Sequence, residues 1–218
     1  MIENVLTVFT LNYNVWGINM IPIESIDDEN FLGGKVILLN APPNTGKDYA
    51  ASVISQYTGA KHMEFKKTLH NIAMAITGLE EEQYFKIYND RDLKEMPHKL
   101  FLGKSPREML IWISETVCKP EFGQDYFGKP AAAGCDPFLG TVFSDSGFPE
   151  EVFPIAEKVG AKNILVVRFT RNGATFGNDS RDYLQPEDCP KGVKFVDLTN
   201  DGDIDEFVSK ILEEVKFG

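Results

Sequence analysis

KVILLNAPPNTGKDYAASVISQYTG, residues 35–59, is the stretch whose reading decides the fold. Val36–Asn40 is an apolar run closed by a polar residue, the pattern of a strand buried on both faces of a parallel sheet. A loop with two prolines, a threonine and a glycine follows, and then Lys47. Beyond it Tyr49, Val53, Ile54 and Tyr57 recur at helical spacing, and Gly59 is a natural stop. Strand, tight loop, Gly-Lys and helix form the context of a phosphate-binding loop. Its backbone N–H groups wrap phosphate, the helix N-terminus adds positive potential, and the lysine reaches the terminal phosphates.

The loop departs from the common G-x-x-x-x-G-K-[ST] spacing at two places, because residues 41–48 read A-P-P-N-T-G-K-D. Ala41 replaces the first glycine, the smallest change available. Asp48 stands where a hydroxyl usually holds Mg²⁺, and a carboxylate can do so directly or through water, since Mg²⁺ takes oxygen ligands and keeps several waters. Pro43, Asn44, Thr45, Gly46, Lys47 and Asp48 are thus the expected nucleotide-binding residues. The alternative is an ordinary strand–turn–helix.

Outward from the loop, the N-terminal side shows no chemistry. Val5–Leu11 and Val15–Ile23 are β-prone with Asn12-Tyr13-Asn14 between them, which reads as a hairpin. Ser25–Asn30 is an acidic linker and Gly33-Gly34 breaks the chain. Residues 1–34 therefore read as a β-rich extension ahead of a single domain, 35–218.

On the C-terminal side, Phe65, Leu69, Ile72, Ala73 and Ile76 trace a helical face ending at Gly78, with Lys66 and Lys67 at its start. A short helix is expected over Glu80–Tyr88, then a polar stretch, Asn89–Lys99. In KSPREMLIWISETVCKP, Ser105 is an N-cap, Pro106 the first helical residue and Glu108 the partner of a capping box. Met109, Trp112, Ile113 and Val117 line the buried face, down to a stop before Pro120. Arg107 falls in the first turn, where a cation opposes the helix dipole unless an anion joins it; a surface arginine is the plainer alternative.

Glu121–Pro137 has no clear period. Thr141–Asp145 reads as a second strand ending in an acid, which in an open parallel sheet faces the ligand crevice; a helix cap is the plainer reading. A helix over Glu150–Val159 is expected to be broken by Pro154. Asn163–Phe169 is a third strand carrying Arg168, followed by Arg171 and a polar, glycine-containing loop with Arg181. The stretch 169–185 is a candidate lid. Val193–Leu198 is a fourth strand. A last amphipathic helix carries Ile204, Phe207, Val208, Ile211, Leu212 and Val215, with Asp203 as its cap. Strands alternating with helices predict an α/β fold, a parallel sheet flanked by helices.

Composition narrows the function classes. A chain of 218 residues with 43% hydrophobic content supports one sizeable core. No apolar run is long enough to span a membrane, and the N-terminus does not read as a secretory leader. Cys118, Cys135 and Cys189 are widely spaced, which fits reduced thiols in a cytoplasmic protein. His62, His70 and His98 lack metal-ligand spacing. A net charge of −11 argues against a nucleic-acid polymer as partner and for a small anion met by a few local cations. The sequence leaves open a homodimer.

Four stretches in order resemble the phage-type deoxynucleoside monophosphate kinases: GKD at 46–48, FKKTLHNIA at 65–73, SPREMLIWISETVCKPEFGQDYFGK at 105–129, and SDSGFPEE at 144–151 followed by VGAKNILVVRFTR at 159–171. The resemblance covers most of residues 35–198. It implies a P-loop kinase-type sheet and transfer of the ATP γ-phosphoryl group to a dNMP with Mg²⁺, in the cytoplasm of an infected host cell if phage-encoded. It also implies roles. Lys47 would hold the donor phosphates, Asp48 and Asp145 the Mg²⁺, Arg107 with Lys66 the acceptor, and Arg168 and Arg171 the developing charge. Related kinases often carry an arginine two residues after the strand-end aspartate, where this chain has Gly147. A dephospho-CoA kinase-like enzyme and a non-catalytic nucleotide-binding regulator are the rival readings.

Overall fold

A computed structural model describes residues 32–177, 179 and 181–216; the expected hairpin before Leu32 lies outside them. Five strands pair in parallel among the described residues: β1 (Val36–Asn40), β2 (Lys61–Met63), β3 (Thr141–Phe143), β4 (Ile164–Thr170) and β5 (Lys194–Thr199). Their order is β2-β3-β1-β4-β5. Val36 stands between Thr141 and Ile164, so the central strand is flanked on both sides. The sheet is parallel and flanked by helices, as the alternation of strands and helices predicts.

The period of two along β1 explains its unbroken apolar run. Ile37 and Leu39 enter a core with Val53 and Ile54 of helix α1 (Lys47–Thr58) and with Phe207, Val208, Ile211 and Leu212 of the last helix, Ile204–Lys216. Val36 and Leu38 face the other way, onto Phe143, Val152 and Ile155. A third core, built on Tyr84, Phe101, Met109 and Ile113, sits in a helical side unit. That unit comprises α2 (Lys66–Thr77), α3 (Glu81–Tyr88), α4 (Arg91–Glu95) and α5 (Pro106–Trp112).

Several expectations are met at their mechanism. Ser105 and Glu108 form the reciprocal capping box, and Asp203 Oδ1 accepts from the N–H groups of Asp205 and Glu206. Gly59 and Gly78 end their helices at φ 70° and 68°, where the left-handed region suits glycine.

Others are corrected. Strand β2 escapes a pattern search because KHM is a three-residue, largely exposed edge strand with no apolar alternation. Tyr49 and Tyr57 are exposed, and α1 buries Ala50 and Ala51 beside Val53 and Ile54 instead. The helix begun by α5 does not stop before Pro120. Wider, i→i+5 turns over Ile113–Cys118 lead into α6 (Lys119–Phe122). Pro120 then falls just after those wide turns, with Lys119 N–H still bonded to Ser114 O. The unpatterned stretch before β3 contains α7 (Gly128–Gly134), made of small residues. Helix α8 (Pro149–Val159) runs unbroken through Pro154. The buried proline ring packs against Gly128 of α7. The last helix is α9 (Ile204–Lys216).

Candidate phosphate-binding site

The carboxyl ends of β1, β3 and β4 open on one side of the sheet, where ligands bind in open α/β folds. The loop 41–48 leaves β1 there. Asn44 takes φ 63° and Gly46 φ 90°, and these two left-handed residues curl the backbone around the start of α1. Pro43 has no N–H, so the loop's free donors begin at Asn44. Thr45 Oγ1 donates to Pro42 O at 2.8 Å, tightening the turn.

Lys47 is buried inside this curl. Its ammonium donates to the carbonyls of Ala41 and Pro42, both at 2.6 Å. Burial, followed by the nearby Arg181 guanidinium, pulls its pKa down from 10.5 to about 8, while Asp48, Asp179 and Asp145 push the other way. A lysine in this state carries its charge at neutral pH and gains from an anion brought within reach.

The other expected residues divide into two groups. Asp145 lies 5% exposed beyond β3. Its Oδ1 accepts from Phe65 N–H at 2.8 Å and its Oδ2 from Lys66 N–H at 3.1 Å. The carboxylate therefore caps α2, the plainer alternative for this residue, and also lies close enough to Lys47 to act on its charge. Burial raises the Asp145 pKa, against Lys66 and the two N–H bonds. Lys66 pairs with Glu64 at 2.9 Å. Burial opposes its charge, but Asp145 and Glu64 outweigh that and raise its pKa. Asp48 is exposed in the first turn of α1 and makes no hydrogen bond or ion pair among the described residues. Arg171 is exposed, and its Nη1 is 3.6 Å from where a Cβ on Gly46 would stand, directly over the loop.

Arg107 and Arg168 are occupied elsewhere. Arg107 does sit in the first turn of α5, but its Nε donates to both oxygens of Glu95, at 2.7 and 3.0 Å, at an exposed position. The anion joining it is a side chain of the same protein. Arg168 forms a two-pronged pair with Asp197 of β5 at 2.7 and 2.6 Å, and its Nη1 donates to Leu184 O and Gln185 Oε1. None of its partners belongs to the phosphate loop. A cavity of about 380 Å³ adjoins Arg168, Tyr183, Gln185 and Asp197, with no residue of the loop in its lining.

Three residues of the site were missed by sequence reasoning. Asn200, 6% exposed, donates from Nδ2 to Thr45 O at 2.8 Å and fastens the loop from the end of β5. Asn40 ends β1 fully buried. It donates to Ser146 O and Asp182 O and accepts from Leu184 N–H, so it ties 182–184 to the strand ends. Both are asparagines at the carboxyl end of a strand, and that was the available signal. Arg181 stood out only as one basic residue of a polar loop.

Among the described residues no cluster of three or more His, Cys, Asp or Glu could cage a metal. Asp48 is an exposed carboxylate, the oxygen type that Mg²⁺ takes.

No family model matches the sequence, and no curated protein matches it. Solved structures similar to it include a gluconokinase from Sinorhizobium meliloti 1021, at 13% identity and TM-score 0.40, covering 84% of this chain and 92% of that one. A sugar kinase from Janibacter sp. HTCC2649 aligns at 11% identity and TM-score 0.38, over 82% and 92% of the two chains. Dephospho-CoA kinase from Campylobacter jejuni does so at 15% and 0.39, over 84% and 98%. At such values they carry no weight, and the functional reading rests on this chain's own residues.

Proposed function

We propose that the chain is a P-loop kinase that transfers the γ-phosphoryl group of ATP to a deoxynucleoside monophosphate. One observation carries the reading. A buried lysine sits inside a loop curled by Asn44 and Gly46 at a helix start, with Arg171 poised over Gly46. Such a loop binds phosphate through backbone N–H groups, dipole and cation together. The dNMP acceptor is supported by the four stretches that resemble the phage-type kinases.

Phosphoryl transfer is mostly positioning and charge neutralisation. The loop N–H groups and Lys47 hold the donor phosphates, and Arg171 approaches from above. Asp48 and Asp145 would hold Mg²⁺, which supplies charge neutralisation across the donor phosphates. The acceptor's phosphate oxygen is already anionic, so no general base is needed. Lys66, at the capped start of α2, is the acceptor-side cation. Arg107 joins the acceptor only if phosphate displaces Glu95, and Arg168 braces the sheet edge.

The test is an ADP-release assay across dNMPs, NMPs and dephospho-CoA, with Lys47→Ala as control. Turnover with a dNMP is expected, together with a loss of about 100-fold or more in the variant. ATP binding without turnover on any acceptor would favour a regulator, and turnover on dephospho-CoA alone would change the acceptor. In the same assay Asp48→Asn is expected to raise the Mg²⁺ concentration for half-maximal rate, and an unchanged titration removes Asp48 from the metal.

A further inference from the structure

Asn40 closes the central strand with no exposed surface, and each polar atom of its side chain meets the backbone of another segment. Nδ2 donates to Ser146 O at 3.1 Å and to Asp182 O at 3.0 Å, while Oδ1 accepts from Leu184 N–H at 2.8 Å. Two carbonyls and one N–H call for two donors and an acceptor on one short side chain, which is the inventory of asparagine. An aspartate there has no donor to give. An apolar residue leaves the groups of Ser146 and Leu184, both 1% exposed, unpaired in the interior.

The neighbours of these contacts give the arrangement its meaning. Ala41, next after Asn40, holds the Lys47 ammonium on its carbonyl at 2.6 Å. Ser146 follows Asp145, and Asp182 follows Arg181, whose charge acts on both Lys47 and Asp145. Each segment that meets at Asn40 thus carries a charged group of the site, or its anchor, one residue away. Further bonds support the same junction. Ser146 Oγ donates to Leu39 O at 3.1 Å, the Tyr183 hydroxyl to Phe169 O at 3.1 Å, and Arg168 Nη1 to Leu184 O at 3.2 Å. Residues 182–184 are therefore fastened to β1 and β4 alike. The chain ahead of them differs, because Arg171, Asn172, Gly173, Thr175 and Gly177 are exposed.

We propose that Asn40 is a positioning residue for phosphoryl transfer, setting the turn after Asp145 and the return of the 171–185 connection against the phosphate loop. The proposal rests on the kinase reading above. Asn40 touches no substrate and exchanges no proton. It acts by fixing where Asp145 and Arg181 stand relative to Lys47, and misplacing such groups by about 1 Å can cost about 100-fold in rate.

The experiment compares Asn40→Ala with wild type and with Thr58→Val, a control at the far end of α1. Thr58 is as fully buried as Asn40, and its hydroxyl bonds Ile54 O and Ala60 N–H, away from the loop. The readouts are kcat and KM for dNMP, ATP calorimetry, denaturant midpoints and hydrogen exchange. Asn40→Ala is expected to lose about 30-fold or more in kcat, with a smaller change in KM and ATP affinity within a few-fold of wild type. Thr58→Val should lower the midpoint as well, yet keep kcat within a few-fold. In wild type, Leu184 N–H should exchange far more slowly than the amides of 172–177, and Asn40→Ala should release it. Rapid exchange of Leu184 in wild type overturns the proposal, whether or not the variant folds. So does a kcat loss that Thr58→Val shares in proportion to its midpoint, which marks a structural role. A loss matched by weakened ATP binding also overturns it, since that marks an effect on the loop alone. Turnover that needs Lys47 but is indifferent to Asn40 removes this inference by itself. A wild-type chain that transfers phosphate to no acceptor removes the kinase reading and this inference with it.

Discussion

Lys47 shows how a single residue can be prepared for its ligand. Its ammonium is held by two carbonyls, yet burial and then Arg181 lower its pKa to about 8. A lysine with a depressed folded pKa burdens the fold below that pKa, and the burden lifts as pH rises from about 8 toward 10.5. Phosphate in the loop would reverse the shift by pairing the charge. ATP binding is therefore expected to take up a sizeable fraction of a proton near pH 8.5 and almost none near pH 6.5. Calorimetry in buffers of different ionisation enthalpy reads that uptake directly. Equal, near-zero uptake at both pH values would show that phosphate does not reach the lysine.

At the scale of elements, much of the fold was legible because the forces were local. The apolar run of β1, the capping box of α5 and the stripe of α9 each express one periodicity or one hydrogen bond. What escaped was held by tertiary contact. Strand β2 exists because Lys61–Met63 pairs with Thr141–Phe143, and α7 exists because small residues fit against α8. There a Cβ on Gly128 would stand 2.8 Å from Glu151 O and 2.9 Å from its Cα. Backbone cannot swing aside as a side-chain end can, so Gly128→Ala should destabilise the protein by about 1–3 kcal/mol despite its better helix propensity. A denaturant midpoint equal to wild type would mean that α7 and α8 separate freely. The candidate site divides the same way. The loop was read from its spacing, whereas Asn40, Asn200 and Arg181 join it from 40, 200 and 181, distant positions that no local pattern links. Arg107 and Arg168 were chosen as cations near expected phosphates. Their acidic partners, Glu95 and Asp197, lie 12 and 29 residues away and could not be paired by inspection.

Taken whole, the molecule is a sheet domain with a helical side unit whose core is separate, and the two differ in how they meet acid. His70 lies 3% exposed in the side unit. Its Nδ1 is 2.8 Å from the Tyr84 hydroxyl, and Tyr84, Phe85 and Tyr88 surround the ring edge-on. Burial, then Lys66 and Lys94, lower its pKa from 6.5 to about 4. The folded ring is neutral where the unfolded ring would be charged, so the unfolded chain binds more protons below pH 6.5. Stability is then lost as pH falls from about 6.5 to 4, by up to about 3 kcal/mol. That loss falls on α2 and α3 and not on β1 or β4, whose buried residues carry no such group. Hydrogen exchange, corrected for its intrinsic pH dependence, should show α2 and α3 opening more readily near pH 4.5 than near pH 7, with β1 and β4 following global unfolding only. His70→Gln should flatten this dependence. An unchanged acid response in that variant would move the cause to carboxylates whose pKa the fold lowers, Glu115, Asp136 and Asp179.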